Sequence, residues 1–282
     1  MNGENFMAHS LPADFHIHTH HSGDCESPME KIIEKALEKK LSAICITEHM
    51  DMDYPITPTE PEGLFEVDTD AYQRELILFK EKYAGIIDIH FGIELGLQPH
   101  IVERNREYLA KYPFDFVIGS NHLCHGKDPY YSSFYEGRKE KEAFMEFFES
   151  TLENITLFDD FDVLGHLDYL VRYAPNLNKN YSYKDYSDII DEILKTLIAK
   201  EKGLDVNTKA LYSEPSLGDL NPSQEIISRF HELGGEIITF GSDAHKPDNV
   251  GLGFETAVEM VKSCGFKRYA VFSQRKPTFL DL

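Results

Sequence analysis

The stretch "ADFHIHTHHSGD", residues 13–24, puts four histidines into six positions and has an aspartate on each side of them. A strand alternates its side chains between two faces, so His16 and His18 point one way while Phe15 and Ile17 point the other. Two neutral imidazoles at one strand end can grip a single metal ion. Imidazole is the commonest protein ligand for zinc and related ions, and carboxylates often complete such sites. A polar strand face or a tag-like run would give the same His-x-His, so the decision falls to the rest of the chain.

Six further short runs rich in β-branched or aromatic residues follow: "LSAICIT", "IDIHFGIEL", "FDFVIGS", "FDVLGHL", "GLDVNT" and "GEIITFGS". Helical patterns separate them. In "SPMEKIIEKALEKK" the spacing predicts Ser27 as N-cap, Pro28 at the first helical position and an apolar stripe from Met29 to Leu37. "NPSQEIISRFHELGG" repeats that logic from Asn221 and Pro222, and "KDYSDIIDEILKTLIAKEKG" carries an Ile/Leu stripe before Gly203. Strands alternating with helices imply an α/β fold with a parallel sheet, and seven such units predict a closed TIM-like (β/α)7 barrel. Residues 1–282 read as a single domain with a short N-terminal extension over 1–12. Two long loops are expected at one end, "DMDYPITPTEPEGLFE" from Asp51 and the tyrosine-rich "CHGKDPYYSSFYEGR" from Cys124.

The formal charge of −21, from 49 acidic against 28 basic residues, argues against a nucleic-acid backbone or an anionic membrane as partner. No apolar run is long enough for a membrane span and no signal peptide is readable, so a cytoplasmic address is expected. The four cysteines, Cys25, Cys45, Cys124 and Cys264, form no Cys-x-x-Cys pair and are read as structural.

The unusual residues fall at the strand ends. After "AICIT" come Glu48 and His49; "FGIEL" carries Glu94; "VIGSNH" ends in His122; "VLGHLD" offers His166 and Asp168; "ITFGSDAH" closes with Asp243 and His245. In a parallel barrel these ends share one face, where barrel active sites sit. Any one of them alone would pass for a satisfied core residue; six strand ends in agreement predict a multi-metal pocket. His9, His90, His100 and His231 fall before, within or behind strands and are read as structural or surface residues. His20, His21 and His125 lie near the pocket but off the alternation, and stay unassigned.

The ordered motifs "HIH", "TEH", "GIEL", "SNH", "GHLD" and "GSDAH" resemble the PHP family, the polymerase-and-histidinol-phosphatase proteins. "GHLDYLVRY" and "NPSQEIISRFHELGGEIITFGSDAH" are similar to its monofunctional histidinol-phosphate phosphatases. The resemblance runs from about Ala13 to the C-terminus and implies the PHP fold, a distorted (β/α)7 barrel with a trinuclear metal centre. It implies one ion held by His16, His18, Glu94 and Asp243, a second by Glu94, His122 and His166, and a third by Asp24, His49 and His245. Some members have histidine where this chain has Asp24, and the small-residue run usual after "VNT" is replaced by "KALYSEPSLGDL".

The chemistry implied is hydrolysis of L-histidinol phosphate, a small phosphomonoester, by hydroxide bridging two of two to three divalent ions (Zn, Mn or Fe). Glu94 and Asp243 are thereby candidate catalytic residues. Arg172 is the candidate phosphate contact, since a guanidinium matches two phosphate oxygens. Asp168, Glu48 or His125 is expected to supply the leaving-group proton, with His125 and Asn207 as further substrate contacts. The acidic, tyrosine-rich rim of "DMDYP" and "DPYYSSFYEG" suits a cationic amine and an imidazole ring. Rival readings are another small phosphomonoester or a nucleotide as substrate, an amidohydrolase-type barrel, which would want a carbamylated lysine as bridge, a PHP nuclease, and a metal-binding sensor without activity.

Overall fold

Each of the seven apolar runs forms a parallel strand. The computed structural model describes residues 11–282, so His9 and most of the expected extension lie outside the described residues. Strands β1 (Asp14–Ile17), β2 (Ala43–Met50), β3 (Asp88–Gly96), β4 (Phe116–Ser120), β5 (Val163–Leu164), β6 (Gly203–Asn207) and β7 (Ile238–Gly241) pair in sequence order. The sheet's edges then meet. Asp243 N–H donates to His16 O at 2.7 Å and His18 N–H donates to Ala244 O at 3.0 Å. Two bonds just past the strands, rather than a full ladder, close the barrel and leave it distorted.

Helices cross between the strands and cover the barrel: α1 (Met29–Glu38), α2 (Thr69–Lys82), α3 (Val102–Leu109), α4 (Glu140–Leu157), α5 (Ser187–Ala199), the single turn α6 (Lys209–Tyr212), α7 (Gln224–Glu232) and α8 (Phe254–Ser263). The stripe of α1 is buried through Met29, Ile32, Ile33 and Ala36. Its expected cap is not used. The helix starts one residue late, and Ser27 Oγ instead donates to His245 O at 2.9 Å. Likewise α7 opens after Ser223 rather than Asn221, because the Asn221 side chain binds Arg172 and Asp168. In both cases a tertiary partner outcompetes the local helix start. All four cysteines are free and buried. No helix among the described residues is long and apolar enough to cross a membrane.

One element goes beyond the expected pattern. Residues after α8 form an antiparallel hairpin, β8 (Arg268–Ser273) with β9 (Lys276–Asp281), packed under the N-terminal strand ends. Phe272 meets Phe116 with ring centroids 5.0 Å apart, and Tyr269 meets Phe240 at 5.6 Å. The hairpin turn is pinned by charge. Gln274 N–H donates to Asp115 Oδ1 at 3.0 Å and Arg275 Nε donates to Asp162 Oδ2 at 2.6 Å, an oxygen that also accepts from Val117 N–H at 2.8 Å. The bottom of the barrel is thus sealed, and only the C-terminal strand ends stay open. Replacing Asp162 by Ala strands both donors and is expected to cost about 2–3 kcal/mol in urea unfolding. A loss below ~0.5 kcal/mol, the range of an ordinary surface change, would show that the hairpin is not anchored there.

Candidate metal centre

Parallel register sets the first contact of the site: His49 on β2 lies opposite Glu94 on β3, so their side chains rise side by side at the open end. Glu94 is fully buried. Its two oxygens face different histidines. Oε2 is 3.1 Å from His16 Nε2, 3.3 Å from His18 Nε2 and 3.2 Å from His49 Nδ1. Oε1 is 3.1 Å from His122 Nε2 and 3.0 Å from His166 Nε2, and accepts from Ser120 Oγ at 2.7 Å. Asp243 joins from the β7 end, where donor atoms of His16, His166 and Asp243 lie within 4.8 Å of one another. On the outer side Asp24 Oδ2 is 3.0 Å from His245 Nε2 and 3.7 Å from His49 Nε2. The fold therefore brings all nine expected ligands to one place.

Whether they fit a cation can be judged from what they leave unpaired. His16 Nε2, His18 Nε2, His49 Nδ1 and Glu94 Oε2 are buried without a hydrogen-bond partner, and all four converge on the same point. Unpaired buried polar atoms are costly and rare. A divalent ion satisfies the set, and His with carboxylate donors is the chemistry that zinc and neighbouring ions take.

The far side of each imidazole is held too. His16 Nδ1 lies 2.8 Å from Asp205 Oδ2 and His122 Nδ1 lies 2.8 Å from Asp51 Oδ1. His18 Nδ1 lies 3.1 Å from Ser22 Oγ, which donates to Glu48 Oε2 at 2.5 Å. Such partners fix the ring orientation and raise ligand basicity. Gly241 makes the first of these meetings possible, since a Cβ there would stand 2.4 Å from His16 Cβ and 2.6 Å from Asp205 Oδ1. Asp243 itself is turned into place by a left-handed backbone, φ 53°, held by its N–H bond to His16 O.

The electrostatics divide the histidines. Burial lowers His166 to about 4, with Arg172 and His122 adding to the effect against Glu94. Burial together with His49 and His245 likewise holds His18 well below its ordinary value. Both are neutral imidazoles ready to bind. Burial alone would raise the Glu94 carboxyl, but His16, His122 and His49 outweigh it and keep Glu94 ionised.

Above these groups opens a cavity of about 440 Å³, the size of a small-molecule site. Glu94, His122, His166, Asp243 and His245 line its floor, Arg172 and Lys209 one wall, and Tyr54, Glu60, Asp128, Tyr130, Tyr131, Tyr169 and Tyr173 its mouth. Arg172 is buried on the turn after β5. Its Nε donates to Asn221 Oδ1 at 2.6 Å, Nη1 to Asp243 Oδ2 at 3.1 Å and Nη2 to Asn207 Oδ1 at 2.7 Å. Lys209 Nζ donates to Asp243 Oδ1 at 2.9 Å.

Four expected site residues stand elsewhere. Asp168 lies behind the wall, accepting from Asn221 Nδ2 at 2.6 Å, Ser223 N–H at 2.9 Å and Tyr181 OH at 3.2 Å, and burial raises it to about 6. It anchors the start of α7 instead of facing a leaving group. Asn207 is fully buried beneath Arg172 and Asp243, donating from Nδ2 to Asp205 and Asp243 at 3.2 Å each. Its side chain positions those groups and does not reach the cavity. Glu48 is buried under the β1 turn, bonded to Thr19 and Ser22. His125 points outward, with 57% of its side chain exposed and Glu146 3.8 Å away. Conversely Asp51, Asp205 and Lys209 were not singled out, although Asp51 follows His49 at strand spacing and Asp205 precedes Asn207 at the same spacing.

A parallel barrel whose C-terminal strand ends converge on one buried carboxylate ringed by histidines defines a barrel with a candidate metal centre. The chain belongs to the PHP domain family, whose model matches residues 14–209. It is 36% identical over 254 residues to the probable histidinol-phosphatase of Clostridium acetobutylicum, covering 90% of this chain and 94% of that one. It is 31% identical to the histidinol-phosphatase of Lactococcus lactis subsp. lactis, covering 93% and 95%. The crystal structure of histidinol phosphate phosphatase from Lactococcus lactis, complexed with zinc, L-histidinol and phosphate, matches with a TM-score of 0.86 at 29% identity, covering 95% and 99%.

Replacing Asp205 by Asn removes a charge behind His16 away from the cavity, and replacing Asp51 by Asn removes one beside His122 and His49 at the cavity lining. Each change is expected to weaken metal binding roughly 10–100-fold in chelator competition. Unchanged affinity would make both carboxylates purely structural.

Proposed function

We propose that this chain hydrolyses L-histidinol phosphate to L-histidinol and phosphate, with two to three divalent ions held by His16, His18, Glu94 and Asp243, by Glu94, His122 and His166, and by Asp24, His49 and His245. The observation that carries the reading is the polarity of the cavity: the cationic side chains of Arg172 and Lys209 stand on its wall beside the histidine–carboxylate floor, with an acidic, tyrosine-rich mouth above. A phosphomonoester of an amino alcohol bearing an imidazole has the complementary polarity, an anion at one end and a cationic amine and flat ring at the other. The zinc, L-histidinol and phosphate bound by the Lactococcus lactis protein support the same assignment.

When bound, the divalent ions supply Lewis acidity toward phosphoryl oxygens and make a water acidic enough to attack near neutral pH. The protein's own groups do the positioning. Arg172 carries five N–H donors, of which Asn221, Asp243 and Asn207 take one from each nitrogen. One donor is left on each terminal nitrogen, the pair that a phosphate accepts side by side. Lys209 adds a second positive charge beside Asp243. At the mouth, Asp128 accepts from Tyr54 OH at 2.8 Å and Tyr169 OH at 3.2 Å, a carboxylate framed by rings and suited to an amine or imidazolium. Glu94, with histidines at both of its oxygens, would take the bridging place that an amidohydrolase-type site gives to a carbamylated lysine. The charge of −21 disfavours a polynucleotide substrate.

Protein purified without chelator is expected to carry two to three divalent ions by elemental analysis, and fewer than one would contradict the assignment. For the substrate, kcat/KM for histidinol phosphate is expected to exceed that for p-nitrophenyl phosphate, a sugar phosphate and a mononucleotide by more than about tenfold, or ~1.4 kcal/mol. Arg172→Ala should lower kcat/KM for every phosphomonoester, whereas Asp128→Asn should raise KM for histidinol phosphate and leave p-nitrophenyl phosphate little changed. Equal effects of Asp128→Asn on both substrates would remove Asp128 from side-chain recognition.

A further inference from the structure

Two histidines of the opening stretch, His20 and His21, take no part in the cavity. They stand on the turn after β1 and converge on Glu75 of α2. His20 Nε2 is 3.2 Å and His21 Nε2 2.6 Å from the same Glu75 Oε2, with the two rings 4.3 Å apart. Two imidazole nitrogens and one carboxylate oxygen thus lie within 4.8 Å of one another. A tetrahedral ion with bonds of about 2.0–2.1 Å spaces its donors ~3.3 Å apart, so a side-chain adjustment at His21 suffices to seat one. A hydrogen bond to Glu75 needs only one imidazole. The second, aimed at the same oxygen, is what an ion explains.

The trio is also preorganised. His20 N–H donates to Ser27 O and Ser22 N–H to Thr19 O, both at 2.9 Å, while Thr19 N–H is held by Glu48 at 3.0 Å. The turn is therefore fixed from both sides, and Glu75 sits in the middle of a fourteen-residue helix. His21 is largely covered against Tyr72, whereas 41% of the His20 side chain is exposed. Water has access to the remaining coordination positions.

We propose that His20, His21 and Glu75 form a separate, solvent-open site for a divalent first-row transition ion, outside the cavity and distinct from its ligands. Three protein donors with a position left for water are the make-up of an open rather than a closed zinc site. Its place is consequential, because His21 adjoins Ser22, whose hydroxyl lies against His18 Nδ1; an ion here braces the turn that orients a cavity ligand.

The test titrates the metal-loaded enzyme, freed of excess ion by gel filtration, with Zn2+ in a calorimeter. Wild type is expected to take up one further ion per chain. His20→Gln and Glu75→Gln should each lose at least about tenfold in affinity for it, the smallest loss seen even for an indirect partner, while turnover before the addition stays unchanged. His20→Gln alters a half-exposed side chain, so the fold is not at stake. No further uptake by wild type, or equal uptake by wild type and both variants, overturns the proposal. Neither result depends on which phosphomonoester the cavity hydrolyses.

Discussion

Glu94 is a carboxylate with almost no access to water, and the rest of the structure is arranged around that fact. An ionised group in such a place is tolerable only if opposite charge and hydrogen bonds surround it. His16, His49 and His122 supply the charge and Ser120 a hydrogen bond, and the neutral His18 and His166 complete a ring drawn from β1, β2, β4 and β5 or the turns that follow them. The barrel is what makes this possible: parallel strands closed into a ring present all their C-terminal ends to one axis, and a side chain on that axis meets groups far apart in sequence. The closure itself runs through the site, since the bond from Asp243 N–H to His16 O joins two ligand-bearing segments directly.

The two ends of the barrel are built by opposite means. At the N-terminal end, aromatic packing and the Arg275–Asp162 pair seal the interior with a hairpin that carries no ligand. At the C-terminal end, the two long loops line the mouth of a cavity whose wall is cationic and whose mouth is acidic. Asp243 links the layers, facing the ligand cluster on one side and receiving Arg172 and Lys209 on the other. A group that orders both the floor and the wall ties the placement of the histidine cluster to that of Arg172 and Lys209.

Much of this was legible from residue order. Alternation in "DFHIH" placed His16 and His18 together, and the agreement of six strand ends pointed to one pocket, because period-two patterning and parallel topology together fix which residues share a face. The misreadings have a common physical origin. Ser27 and Asn221 have the local chemistry of helix caps, but each is bound by a group distant in sequence, which no local pattern reveals. Asp168 falls at the same strand end as His166 in "VLGHLD", but the chain leaves strand geometry immediately after β5, so position alone does not turn its side chain toward the pocket. Lys209 is hidden for a related reason: it opens "KALYSEPSLGDL", the segment that replaces the small-residue run usual after "VNT", and only the fold shows that this segment returns to Asp243. The β8–β9 hairpin closes a sheetless end and has no counterpart in the strand–helix rhythm by which the barrel was read.

The central claim is that Glu94 divides its two oxygens between two cations. Anomalous diffraction from crystals of the protein loaded with zinc, recorded on both sides of the zinc edge, addresses it most directly. The account predicts two peaks about 3.5–4 Å apart, one between Glu94 Oε2 and the His16–His18 pair and the other between Glu94 Oε1 and the His122–His166 pair. A single peak at Glu94, or peaks confined to Asp24 and His245 with Glu94 bare, would contradict it.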